Sequence, residues 1–155
     1  TISTAWNNTA PTSTVFSLGS PSGFTNSSGA TYVAYCFAPV AGYSSFGSYV
    51  GNGSSDGVFV YTGFRSRWVL IRRTDTTENW ILHDTARDGY NVTTKELIPN
   101  SASAEGSTTP FDILSNGFKL RDAGGGTNTS GGTYIYAAFA EAPSFNLYGG
   151  QANAR

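Results

Sequence analysis

The sequence predicts an all-β fold, an antiparallel β-sandwich of jelly-roll type with little or no helix. Three observations predict it. The 155 residues include 9 Tyr, 10 Phe and 19 Gly, with many Ser, Thr and Asn and no Met. Aromatic and β-branched side chains suit a pleated, half-buried surface, and Gly, Asn and Ser make the turns between short strands. Apolar segments alternate with polar residues or stand as short runs between glycines, as strands do. No window of a dozen residues keeps a helical period; the nearest, 84–96, has room for one short turn. The length suits one compact domain, or one domain plus part of another, with a core that needs no staples.

The elements follow in order. Residues 13–18, "STVFSL", alternate as a half-buried strand does. The run "TYVAYCFA" from Thr31 is almost wholly apolar and flanked by turn residues, which predicts a central, buried strand over 30–38. "DGVFVYTG" at 56–63 is another strand between turns. "RWVLIRR" at 67–73 and "NWILHD" at 79–84 are joined by polar "TDTTE" and predict an antiparallel hairpin. "KELIP" at 95–99 reads as a short strand that ends at its proline. "NGFKL" at 116–120 and "TYIYAAFA" at 133–140 are the last two strands, joined by the glycine-rich turn at 124–132.

The chain repeats itself. Phe16, Leu18, Thr25, Asn26, Thr31, Tyr32, Phe37 and Ala38 each recur 102 residues later, as Phe118, Leu120, Thr127, Asn128, Thr133, Tyr134, Phe139 and Ala140. Without a gap, 12 of 26 positions agree between 13–38 and 115–140. The likeness continues as Tyr43, Phe46 and Gly47 meet Phe145, Tyr148 and Gly149. Self-similarity at a fixed offset marks tandem units. It divides the chain into 1–46, the closing part of one unit, 47–149, a complete unit, and a tail at 150–155. The chain begins at Thr1 and not at Met, which reads as a processed product or a piece of something longer. The part-unit must find strand partners, because open sheet edges are avoided. It either joins the sheets of the full unit in one larger sandwich, which the length suits, or adds to a neighbouring chain.

Charge is scarce and balanced, with 9 basic and 10 acidic residues, and leaves no footprint for nucleic acid or an anionic membrane. No stretch approaches the ~20 apolar residues of a membrane span. Such a neutral surface resists self-association poorly, which suits a protein that lies against others. The lone Cys36 has no internal disulfide partner and reads as a small buried strand residue.

Reactive chemistry finds little support. The single histidine, His83, excludes multi-histidine metal sites, and no nucleophile elbow accompanies it. Asp75, Glu78, Asp84, Asp88, Glu96 and Glu105 are candidates for a glycosidase pair, but most sit in or after turns, where acidic residues are ordinary. "GNGSSDG" at 51–57 carries one carboxylate and reads as a turn before a Ca²⁺ loop. The expectation is therefore no catalytic residue, no metal and no cofactor. Asn7, Asn26, Asn52, Asn91 and Asn128 begin N-x-S/T sequons, as surface loops do. A ligand site is predicted around Trp68, Trp80, Asp84, Arg87, Tyr90 and Asn91. Sugars stack on aromatic faces while Asp, Asn and Arg take their hydroxyls. The competing reading places Trp68 and Trp80 in the sandwich core.

The stretches "NNTAPTSTVFSLGS", "GATYVAYCFAPVAGYSSFGSYVGNGSSDGVFVYTGFRSRWVLIRRTD" and the closing "GGTYIYAAFAEAP" resemble tandem-repeat structural proteins of tailed bacteriophages, above all those of marine phages and cyanophages. The resemblance implies concanavalin A-like (laminin-G-like) repeats and an extracellular, virion-borne protein: a tail fibre, a tail-associated adhesin or a capsid decoration. It implies a homo-oligomer or other virion proteins as partners, and a host-surface glycan as a ligand. It brings no catalytic residues. The other readings are a stand-alone carbohydrate-binding module and a polysaccharide depolymerase.

Overall fold

The computed structural model describes residues 3–19, 25–141, 144–145 and 151–152. The tail at 150–155, apart from Gln151–Ala152, and the repeat positions Tyr148 and Gly149 lie outside the described residues. The chain divides into two compact units, Thr1–Phe37 and Ala38–Arg155.

The second unit is an antiparallel β-sandwich. Its strands are β1 (Ser44–Val50), β2 (Phe59–Tyr61), β3 (Ser66–Arg73), β4 (Trp80–Asp84), β5 (Phe111–Leu114), β6 (Gly117–Leu120), β7 (Thr133–Ala140), β8 (Ser144–Phe145) and β9 (Gln151–Ala152). One sheet has the order β1-β7-β3-β4, a second the order β2-β6-β5, and β8 pairs with β9. All pairings are antiparallel.

The period-two pattern sets the core. On β3, Val69 and Ile71 are fully buried, while Trp68, Leu70 and Arg72 on the opposite face stay half-buried. On β4, Ile81 and His83 point the same way as Val69 and Ile71, whose register partners they are. The second sheet contributes Val60, Phe111, Ile113, Phe118 and Leu120 to one apolar cluster with Tyr49, Val69, Ile71, Tyr134 and Ala138. Each such fully buried side chain contributes roughly 1.5–3 kcal/mol of transfer free energy. Tyr49 stacks on Tyr134 at 5.0 Å, and both phenols are satisfied, by the Thr127 and Gly125 carbonyls. Phe118 is the hub, in ring contact with Tyr49, Phe111 and Tyr136.

The two sheets have differently guarded edges. The outer side of β4 is met by an isolated bridge between Leu82 and Leu97, and β5 by one between Thr93 and Phe111. β2 is an edge of three residues. β1 is an edge of seven residues and carries no charged side chain. At its start Val40 bridges Ser44 across a turn with Gly42 at φ 74°.

The expected hairpin over 67–84, the strand within 56–63, the last two strands and the turn joining them are all present. Residues 95–99 form no strand and make only bridges, Glu96 to Gly106 and Leu97 to Leu82. The repeat boundary between 46 and 47 falls inside β1.

The first unit holds a 3-10 turn, Ser3–Trp6. The Trp6 ring meets the edge of Phe16 at 6.2 Å. The Gly19 amide donates to the Ala5 carbonyl, and the Asn26 side-chain amide to the Gly19 carbonyl. Two expectations fail here. Residues 13–18 and 31–38 are not strands, and Val33 and Tyr35 are 79% and 83% exposed. Cys36 is exposed, not buried. The reason is physical: an apolar run becomes a strand only beside neighbours. Its repeat counterpart β7 lies between β1 and β3, whereas the described residues of the first unit hold no strand.

Candidate functional site

β3 and β7 run antiparallel with Ser66 opposite Ala140 and Trp68 opposite Phe139. Arg67 is the extra residue between these pairs, a bulge that re-aims its side chain. Its guanidinium meets the Glu141 carboxylate at 2.7 Å, with both side chains 40% exposed. The Arg67 carbonyl accepts from the Thr85 amide, which fixes the end of β4 beside the bulge. Around this junction Arg65, Arg67, Thr85, Gly89, Tyr90 and Glu141 line an open cleft of about 390 Å³. Tyr90 stands in it 87% exposed.

The six predicted ligand residues separate into roles. Tyr90 alone lines this cleft. Asp84 and Arg87 form its support. Asp84 accepts from the Ala86 and Arg87 amides and from Arg87 Nε at 2.7 Å. Arg87 also reaches Glu105 and the Leu82 carbonyl. Burial pushes the Asp84 carboxyl up, but the Arg87 hydrogen bonds and charge outweigh it and hold the group below its ordinary value. Asn91 is committed to β5: its amide donates to the Ile113 carbonyl and its oxygen accepts the Ile113 amide. Trp68 sits opposite Asp84 on the outer sheet face, against the edge of Phe139 at 5.4 Å. Trp80 lies four residues from Asp84, ~13 Å along the strand, under the Arg72 guanidinium at 5.2 Å. Neither tryptophan is in the buried core and neither lines the cleft.

Arg65, Arg67, Thr85 and Glu141 were not legible as site residues. Arg65 precedes β3, Arg67 lies at its start, and Glu141 follows β7, 74 residues on from Arg67; only the β3–β7 register joins them. The i, i+2 spacing of Arg65 and Arg67 at a strand start is the one local signal.

Three other polar clusters have structural roles. His83 is fully buried and stacked on Phe111, with Nε2 3.1 Å from Thr109 Oγ1. The same hydroxyl donates to buried Glu96, which also accepts from Thr108. The 51–57 segment is a hydrogen-bonded turn: Asn52 accepts the Ser54 amide and donates to the Asp56 carbonyl, and Asp56 pairs with Lys119 at 2.6 Å. Among the described residues no group of three or more His, Cys, Asp or Glu could hold a metal ion. Buried Asn128 donates to Asn52 and to the Ser54 and Asp122 carbonyls, and its oxygen accepts the Asn52 amide. Its sequon therefore does not mark a surface loop. The first unit has its own groove of about 410 Å³, lined by Trp6, Phe16, Leu18, Tyr32, Val33 and Tyr35 among others.

The fold and the cleft define a β-sandwich domain whose surface offers an exposed aromatic ring beside paired cationic, hydroxyl and carboxylate groups. The chain belongs to a family described as Domain of unknown function (DUF7483), whose model matches residues 1–143. That match runs through both compact units. No curated protein and no solved structure matches the chain.

Proposed function

We propose that this chain is a structural protein of a bacteriophage virion surface, acting without covalent chemistry, and that the Tyr90 cleft attaches it to host-surface glycan. The observation that carries the attachment is Tyr90, 87% exposed among groups that both donate and accept. A ring kept out of the core costs the fold apolar burial and offers a sugar a flat face. Arg67 and Glu141 suit vicinal hydroxyls, and Arg65 has no ion-pair partner among the described residues. Its planar guanidinium matches the carboxylate of an acidic sugar. The virion setting is supported by the resemblance of the repeat-closing stretch to phage structural repeats. Open clefts on repeated sandwiches also multiply weak contacts by avidity.

The test is a titration with neutral and uronic-acid oligosaccharides, read by ligand-observed NMR. Wild type is expected to bind at mM or tighter, and Tyr90→Ala to weaken binding about tenfold, a loss of ~1.4 kcal/mol. The unfolding midpoint should stay put, because a side chain this exposed contributes little to stability. No binding by either series up to 10-fold above ~1 mM would remove the glycan reading. Antibodies to the chain that fail to label virions would remove the virion reading.

A further inference from the structure

We propose that residues 31–37 are a donated β-strand, and that they add antiparallel to the open edge of β1 in a second copy of this chain. The inference stands on the repeat and the sheet topology and does not depend on the glycan cleft.

Residues 31–38 repeat β7 at the fixed offset: Thr31, Tyr32, Phe37 and Ala38 match Thr133, Tyr134, Phe139 and Ala140. β7 is a central strand, antiparallel to both β1 and β3. A sequence of this kind is thus already seen lying antiparallel along β1. Yet Val33, Ala34, Tyr35 and Cys36 take part in no strand and no backbone hydrogen bond among the described residues. Residues 33–36 thus have a strand's apolar pattern and, among the described residues, no strand neighbour.

Among the described residues, the acceptor is the one long open edge. β4 and β5 are met by bridges and β2 has three residues. β1 has seven, and its "SSFGSYV" carries none of the charges or prolines that guard an edge. The donor run "TYVAYCF" carries none either. Pairing the two buries no charge.

Register decides between the same chain and another copy. In β7 the core face is formed by Tyr134, Tyr136, Ala138 and Ala140. The repeat therefore assigns Tyr32, Ala34, Cys36 and Ala38 to that face. Within one chain the turn at 41–43 fixes Val40 opposite Ser44. Extending that ladder would set Tyr35 opposite core-facing Tyr49 and turn the assigned face outward. A slip of one residue inverts every side chain. A strand from a second copy arrives without that turn and is free to take the register its pattern requires.

The area suffices. Tyr32, Val33 and Tyr35 are 47%, 79% and 83% exposed. At roughly 150–250 Å² per aromatic ring, each donated segment hides on the order of 400 Å². Two reciprocal strands, counted on both sides, reach ~1,600 Å², the size of a stable interface.

The experiment measures the mass of the full chain by light scattering over a hundredfold concentration range. Wild type is expected to reach at least twice the mass of one chain. The double variant Ala34→Pro/Tyr35→Pro should remain a single chain, because one of two adjacent amides must face the acceptor. Ser48→Lys, which puts a charge on the β1 edge, should do the same. Both should keep the wild-type urea midpoint when diluted. A wild type that is a single chain throughout, or variants that keep the doubled mass, would overturn the proposal.

Discussion

His83 lies flat against Phe111, with ring centroids 4.6 Å apart and planes 2° from parallel, in a core where both residues are fully buried. The imidazole belongs to the packing between β4 and β5. Desolvation, opposed by Glu96 and helped by Arg87, pushes its pKa from the ordinary 6.5 down to about 4.

The stability of the sandwich should therefore fall in mild acid. The unfolded chain binds this proton near pH 6.5 and the folded chain only near 4. The stabilisation is complete above 6.5, declines as the pH falls between those values, and amounts to about 3 kcal/mol. Urea midpoints at pH 7 and pH 4.5 measure it. His83→Gln should lose most of the difference, and an unchanged difference in that variant would assign the acid sensitivity to carboxylates.

Asn128→Ala should cost about 3 kcal/mol. The side chain makes four hydrogen bonds to the 51–57 and 122 segments, and its loss strands the Asn52 amide and several acceptors. Urea unfolding gives the magnitude, and hydrogen exchange should show the loss centred on residues 51–54. A cost under ~0.5 kcal/mol would mean that water replaces the amide without strain.

Gly117→Ala should destabilise by about 2 kcal/mol, from overpacking. A Cβ there would lie 2.1 Å from the Val60 carbonyl oxygen, a backbone atom of the paired strand. The β2–β6 ladder must part to admit it. Unfolding at the wild-type midpoint would show that the short edge strand β2 gives way freely.

Much of the fold was legible because its strands are read locally. Val69, Ile71, Ile81 and His83 announce their shared face by alternation, and β7 announces its depth by a continuous apolar run. β1 was not legible, since "SSFGSYV" mixes serines and glycine with aromatics on both faces. The segment at 31–38 misled for the opposite reason. Its pattern is a strand's, but a pattern does not say whether a neighbour is present. The site divides the same way. Tyr90 stands out beside a turn, whereas Arg67 and Glu141 meet only through the β3–β7 register and a bulge.

The Leu82–Leu97 bridge has a consequence for valence. With the far side of its larger sheet stoppered, the proposed strand addition would give each molecule one giving end and one receiving end. Units of that kind combine as bifunctional monomers do. They close on themselves in pairs or small rings, or they extend as a single unbranched thread. They do not form a network.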